Sequence, residues 1–148
     1  DLILCATGYS WKIPYVDPAE FSWRSGKPDL YMNLFSRETP NLYALGYMET
    51  NGGAYKLFDE MADLITQTII ARAKGGAAKQ AVDSAIANDR PDLTGGIKFV
   101  ASDRHATYVE IDAYRRHMVK LRKRFGWANV KDGDFERLRV SPQRAAAE

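Results

Sequence analysis

The feature that most constrains the fold is an apolar run close to the start of the sequence. The run Leu2–Cys5 leads into Ala6, Thr7 and Gly8, which are followed by Tyr9. An uninterrupted apolar run is typical of a strand buried on both faces of a parallel or mixed sheet, and the small residues after it end the strand. Such a strand needs a neighbour on each side. Because the sequence offers nothing before it, we expect half of its sheet to come from elsewhere, so that the chain is a piece of a longer protein.

Further apolar segments predict the rest of a small sheet. Residues 30–35 and 41–47 read as extended and are separated by a turn over residues 36–40, and residues 97–100 form a third, shorter segment of this kind. Together with the first run they predict a partial sheet of three or four strands. The expected fold class is therefore α/β, with three main helices packed on that sheet.

Three segments have the periodicity of amphipathic helices. They are residues 54–74, with an apolar face that includes Leu57, Met61, Leu64 and Ile69, a weaker helix over 77–88, and residues 110–125. Thr50 or Asn51 is expected to cap the first helix, and glycines follow each of the two stronger helices. Because the 77–88 helix has few apolar residues, we expect it at the periphery.

Composition indicates a soluble globular protein. The chain has 45% apolar and 27% charged residues, no run near the roughly 20 apolar residues that span a bilayer, and no secretory signal pattern. Its one cysteine, Cys5, lies inside the apolar run and reads as a buried hydrophobe, which predicts a reducing, cytoplasmic location. We expect one domain over 1–127 and a polar tail over 128–148.

The strongest candidate for a functional element is the loop Asn51-Gly52-Gly53. It follows a predicted strand that ends at a glycine and precedes the first helix. Free backbone N–H groups and the helix dipole at such a position attract an anion or an electron-rich carbonyl. The alternative, a plain turn with a helix cap, stays open from these residues alone.

Other chemistry is sparse in this sequence. The two histidines lie far apart with no ligand spacing around them, and no P-loop, G-x-S-x-G or H-E-x-x-H motif occurs. The third helix is strongly basic opposite its apolar face. Because no aromatic stacking pattern accompanies these basic residues, we expect a solvated face rather than one that binds phosphate or nucleic acid. Its basic residues are Arg115, Arg116, Lys120, Arg122, Lys123 and Arg124.

The segments taken together resemble the C-terminal part of the flavin-containing monooxygenases, the class that uses FAD and NADPH. The run Leu2–Ala6 with Thr7, Gly8 and Tyr9 resembles the apolar strand and A-T-G-Y motif of that family. The order of the later segments is also similar, from an aromatic, proline-containing loop to the closing helix that ends near Gly126. The resemblance covers residues 1–127 and is weakest over 75–102.

This resemblance implies an oxidoreductase in the full-length protein. NADPH would reduce FAD, and the reduced flavin would react with O2 to a C4a-hydroperoxide that oxygenates an amine, a sulfide or a ketone. Ala6, Thr7 and Gly8 would lie where the chain returns from the NADPH domain to the FAD domain. Asn51, Gly52 and Gly53 would face the pyrimidine edge of the flavin. The aromatic loop before Lys27 would border the substrate side.

The sequence departs from the family by lacking both G-x-G-x-x-G fingerprints and the signature between them. We therefore expect a fragment of an incomplete FAD-binding domain that is inactive alone, with FAD, NADPH and a small-molecule substrate as partners and neither nucleic acid nor membrane. Exposed strands would favour a homo-oligomer. Two alternatives stay open: a non-enzymatic assembly module that uses the basic helix 110–125, and a different two-dinucleotide flavoprotein reductase.

Overall fold

We describe the protein from a computed structural model. The structure describes residues 2–4, 13–24, 26–99, 105 and 107–131. Within them the chain is a mixed α/β fold of three helices and three small sheets, which confirms the coarse fold class. The helices are α1 (Tyr55–Lys74), α2 (Gly76–Asn88) and α3 (Ile111–Phe125). The strands are β1 (Trp23–Arg24), β2 (Lys27–Pro28), β3 (Leu30–Tyr31), β4 (Phe35–Ser36), β5 (Glu49–Thr50) and β6 (Tyr108–Val109), and a 3-10 turn covers Pro18–Glu20.

The predicted sheet of three or four strands is wrong within these residues. The strands pair instead as three separate two-stranded sheets: β1 with β2 and β3 with β4 antiparallel, and β5 with β6 parallel. The predicted strand over residues 30–35 is a tight hairpin. The predicted strand over 41–47 contributes only an isolated bridge from Tyr43 to Phe35. Residues 97–99 form no strand, and Val100 lies outside the described residues.

The opening apolar run also differs from its prediction. Leu2, Ile3 and Leu4 form no strand, and their exposed fractions are 88%, 87% and 82%. An apolar strand becomes buried only where other segments cover and pair with it, and no segment in the described part of the chain does so here. The rest of the run, Cys5 to Tyr9, lies outside the described residues, as does most of the tail.

The core lies between the three helices and the β3–β4 hairpin. Helix α1 buries Leu57, Met61 and Leu64 as predicted, but it also buries Thr68, whereas Ile69 is half exposed. Helix α3 buries Tyr114, Met118 and Leu121. Helix α2 is not peripheral, because Val82 and Ile86 are buried in the same core. A few correctly spaced side chains are enough to dock a short helix when the rest of its surface can face water.

The first two helices are joined directly through two glycines, Gly75 and Gly76. Gly75 ends α1 with a φ of +70°, and its N–H donates to the carbonyls of Ala71 and Arg72. Helix α2 begins at the next residue, so the chain reverses with no intervening loop. Only glycine adopts this backbone conformation without strain. The predicted glycine stop is thus confirmed, and it packs α2 against α1.

The β3–β4 turn carries two non-glycine residues with positive φ, Met32 at 56° and Asn33 at 52°. Both residues are hydrogen-bonded to other parts of the chain, Met32 to α3 and Asn33 to the segment before α3. The Tyr114 hydroxyl donates to the Met32 carbonyl over 2.8 Å, and the Asn33 amide donates to the Thr107 carbonyl over 3.1 Å. Left-handed backbone costs free energy, and these two hydrogen bonds help to offset it.

Candidate functional site

The predicted Asn51–Gly53 loop lies where two helices begin. Strands β5 and β6 run parallel, with Glu49 opposite Tyr108 and Thr50 opposite Val109. Since α1 follows β5 and α3 follows β6, this pairing places the residues after each strand at one edge of the small sheet. The sequence predicted the loop and the helix of the first unit, but it placed the preceding strand at residues 41–47 instead of β5 and did not predict the pairing with β6.

The side chain of Asn51 is hydrogen-bonded to the start of α3. Its Oδ1 accepts from the backbone N–H of Ile111 over 3.0 Å, and its Nδ2 donates to Glu110 over 3.2 Å. Gly52 lies against the same helix, because a Cβ atom at this position would come within 3.2 Å of Ile111 Cδ1. The predicted cap of α1 by Thr50 or Asn51 is therefore wrong: Ala54 is the N-cap, and no side chain bonds there.

The open part of the loop is Gly53 and the first turn of α1. A Cβ atom at Gly53 would meet no atom within 4 Å, and Gly53 and Tyr55 are both exposed. The first N–H groups of a helix have no partner inside the helix, and here no described side chain caps them. This end of α1 can hold an anionic or electron-rich group through backbone donors and the dipole.

The neighbouring helix start is closed by a carboxylate. Glu110 is the N-cap of α3 and accepts from the backbone N–H groups of Asp112 over 3.0 Å and Ala113 over 2.7 Å. These bonds hold the pKa of Glu110 below its usual range. The sequence reading included Glu110 in the helix itself. A carboxylate residue directly before a periodic run was the available signal for a cap.

Of the six site residues predicted from the sequence, the structure describes three. Asn51, Gly52 and Gly53 lie together between the two helix starts, and Gly53 is the one that stays open. Ala6, Thr7 and Gly8 lie outside the described residues. Their placement near a cofactor therefore stays a prediction.

An apolar cleft lies between the aromatic loop and residues 42–47. It has a volume of about 320 Å³ and is bounded by residues 13–21 of the aromatic loop and by residues 42–47. Gly46 in its wall lies against the ring of Phe58, since a Cβ atom there would be 3.6 Å from Phe58 Cζ. Tyr15 at the rim is exposed, whereas Phe21 and Tyr47 are buried together.

The basic face of α3 is not uniformly solvated, contrary to the expectation. Arg122 is only 3% exposed and donates to Asp63 of α1 over 2.6 Å. Arg115 pairs with Glu60 over 3.2 Å, and Arg124 pairs with Asp89 over 2.7 Å. These ion pairs fasten α3 to its neighbours, so half of the basic cluster serves the fold.

Another α3 side chain, His117, is half-buried beside a second cavity that the sequence reading missed. Its Nε2 lies 3.1 Å from the hydroxyl of Tyr31. Burial lowers the pKa of His117 and raises that of Tyr31, while the nearby Asp89 opposes the first of these shifts. The stripe of polar α3 residues was visible in the sequence, but the segment that faces it across the cavity was not.

Within the described residues, no group of three or more His, Cys, Asp and Glu side chains is placed to hold a metal ion. Over the same residues, no helix has both the length and the apolar character needed to cross a bilayer. Comparison with protein-family models, curated proteins and solved structures finds no match to this chain.

Proposed function

We propose that this chain forms the C-terminal part of the FAD-binding domain of a monooxygenase that uses FAD and NADPH. Its proposed substrate is a soft nucleophile, such as an amine or a sulfide, or a ketone. The proposal starts from the resemblance of residues 1–127 to flavin-containing monooxygenases. The structural observation that carries it is the open, uncapped start of α1 at Gly53, beside a neighbouring helix start that is closed.

The residues at the start of α1 fit the proposed cofactor. A flavin ring becomes more electron-rich when it is reduced, and FAD would supply the oxygenation chemistry when bound. Backbone donors at Gly53 and in the first turn of α1 would bind the pyrimidine edge and stabilise negative charge on it. Asn51 would keep a positioning role, because its amide fixes the loop against Glu110 and Ile111.

Two further features support a larger flavoprotein. Leu2, Ile3 and Leu4 present apolar side chains that a neighbouring strand or domain would cover. The apolar cleft of residues 13–21 and 42–47 is linked to α1 through Gly46, which lies against Phe58, and a small apolar substrate would have room there. The alternative of an assembly module through helix 110–125 has less support, because Arg115, Arg122 and Arg124 pair within the chain.

The test begins with the reading frame upstream of Asp1. The proposal expects two glycine-rich dinucleotide fingerprints there, and the extended protein should purify with the visible absorbance of a flavin and oxidise NADPH in the presence of O2. The chain alone should bind FAD weakly. A reading frame without the fingerprints, or sub-micromolar FAD binding by the isolated chain, would contradict the proposal.

Substitution at Gly53 in the extended protein tests the role of the α1 start. Gly53→Asp adds a carboxylate in open space, where it would repel the reduced flavin, so NADPH-dependent flavin reduction should slow about tenfold. The fold should not weaken, because a carboxylate at a helix start is favourable. Gly53→Asn, similar in shape but neutral, is the matched control and should stay within about twofold of the unmodified protein. Equal rates of flavin reduction in the two variants would indicate that the flavin does not bind at this helix start.

A further inference from the structure

The cavity beside His117 brings three cationic side chains together. It has a volume of about 560 Å³ and lies between α3 and residues 89–95. Helix α3 contributes Arg116 and Lys120, four residues apart and so on one face, and the opposite wall contributes Arg90. We call it the α3 cavity; its lining residues are Asp89, Arg90, Pro91, Asp92, Gly95, Ala113, Arg116, His117 and Lys120.

None of these three cations has a close carboxylate partner in the described part of the chain. The nearest carboxylate to Arg116 is Glu110 at 3.7 Å, and the nearest to Arg90 is Asp29 at 3.8 Å. Arg90 Nη1 donates to the backbone carbonyls of Ala87 and Asp89 over 2.9 and 3.1 Å, which leaves its other guanidinium N–H groups for a ligand. Lys120 is exposed and makes no ion pair with a described residue. Cations without a hydrogen-bonded counterion keep most of their capacity to donate to a ligand.

The carboxylates around the cavity are engaged by shorter bonds. Asp89 accepts from Arg124 over 2.7 Å. Asp92 accepts from the backbone N–H and the hydroxyl of Thr94 over 2.9 and 2.7 Å, which holds the pKa of Asp92 below its usual range. Glu110 accepts from the first N–H groups of α3. These acids stay charged but direct their short bonds to other donors, and the three cations of the lining exceed its two acids, Asp89 and Asp92, by one charge.

We propose that the α3 cavity binds the phosphate group of a small phosphorylated molecule through Arg90, Arg116 and Lys120. Guanidinium groups match the tetrahedral oxygens of phosphate with paired donors, and Lys120 adds a compact charge. The cavity is much larger than a phosphate ion, so the rest of a small ligand has room beside His117. This inference uses none of the proposed flavin contacts and stands independently of them.

His117 is a built-in reporter for this site. It lines the cavity, its ring is anchored to the Tyr31 hydroxyl, and the chain has only two histidines. The other, His105, stacks against Phe99 and Tyr108 outside the cavity lining. Imidazole NMR signals of the full chain can therefore be followed during titration with inorganic phosphate, at constant ionic strength set with sodium chloride.

The expected result is a saturable shift of the His117 signals in the millimolar range with little change at His105. Lys120→Gln and Arg116→Gln should each weaken phosphate binding about five- to tenfold, since each removes a charged donor. Lys123→Gln is the matched control: it removes an exposed charge from the same helix outside the cavity lining, and should change affinity by less than about twofold.

Three outcomes would overturn the proposal. One is a shift that does not saturate or that sodium chloride reproduces. Another is an equal loss in the Lys123→Gln and Lys120→Gln variants, which would indicate general attraction to a basic helix. The third is acetate binding as tightly as phosphate, which would replace the phosphate assignment with a carboxylate one. Circular dichroism of each variant checks that the helices are intact.

Discussion

Helices α1 and α3 begin side by side, yet their first turns are built in opposite ways. The start of α3 is saturated: Glu110 accepts from two backbone N–H groups, and Asn51 accepts from a third. The start of α1 has no side-chain cap, and Gly53 before it is exposed. A carboxylate already occupies the start of α3, whereas the start of α1 offers backbone N–H donors that have no partner within the helix. The difference identifies α1 as the end that can take a ligand.

The two starts are nevertheless linked, because Asn51 belongs to the loop of one and caps the other. A third segment also holds the start of α3, since the Glu110 N–H donates to the Leu93 carbonyl over 2.8 Å. Gly95 lies in the turn after Leu93 and packs directly on Glu110. The closed start thus depends on three separate parts of the sequence, and each can be tested by substitution.

Substitution of Gly95 should have the largest effect. Gly95 has a φ of +64°, and a Cβ atom there would lie 3.0 Å from Glu110 Cβ, Cγ and Oε2. Gly95→Ala should therefore lower the free energy of unfolding by about 2 kcal/mol, through backbone strain and displacement of the cap. Urea denaturation followed by circular dichroism measures the change.

Gly96→Ala is the matched control for this prediction. Gly96 also has a positive φ, +81°, but a Cβ atom there would meet nothing within 4 Å. Its loss should be about 1 kcal/mol, from strain alone. Equal losses for the two variants would mean that contact with Glu110 contributes nothing to stability.

The helices were predictable from the sequence because local periodicity determines them. All three were expected within one residue of their observed ends. The exception on α1 is instructive: Ile69 fits the apolar period but is half exposed, while Thr68 is buried. Packing against α2 decides which side of that stripe is covered, and a single helix carries no information about its neighbour's position.

Loss of the Asn51 side chain should have a smaller effect than the strain at Gly95. Asn51→Ala removes one hydrogen bond to Ile111 N–H and one to Glu110, so the free energy of unfolding should fall by about 1 kcal/mol. The measurement is again urea denaturation. Asn41→Ala is the control, because Asn41 is exposed in a turn, and its loss should stay within about 0.5 kcal/mol. If Asn51→Ala left the free energy of unfolding unchanged, this side chain would not couple the two helix starts.

The sheet and the site were harder to predict, since both depend on contacts between distant segments. Apolar runs at residues 2–5 and 41–47 have strand composition, but strand pairing depends on which segments lie beside them. The role of Asn51 at α3 joins residues about sixty positions apart, and no local pattern encodes it. The position of Gly53 before α1 was predictable because a glycine before a periodic helix is a local signal.

The smallest expected effect is the pH dependence of the α3 cap. The pKa of Glu110 is held below its usual range, first by the N–H of Asp112 and then by that of Ala113. Because the folded pKa is lower than the unfolded one, this stabilisation is complete above the unfolded pKa of about 4.3 and is lost as pH falls through the folded pKa. Glu110→Gln removes the charge but keeps an acceptor. The stability gap between the two proteins should therefore be widest above about pH 5 and should close in acid.

Urea denaturation of both proteins over a series of pH values gives the difference curve. Asp83 and Asp92 also have lowered pKa values, but they are present in both proteins and cancel in the difference. A gap that stays constant with pH would mean that the carboxylate charge does not stabilise the start of α3. The contrast with α1 would then rest on geometry alone, and a reduced flavin would have no electrostatic reason to prefer the start of α1.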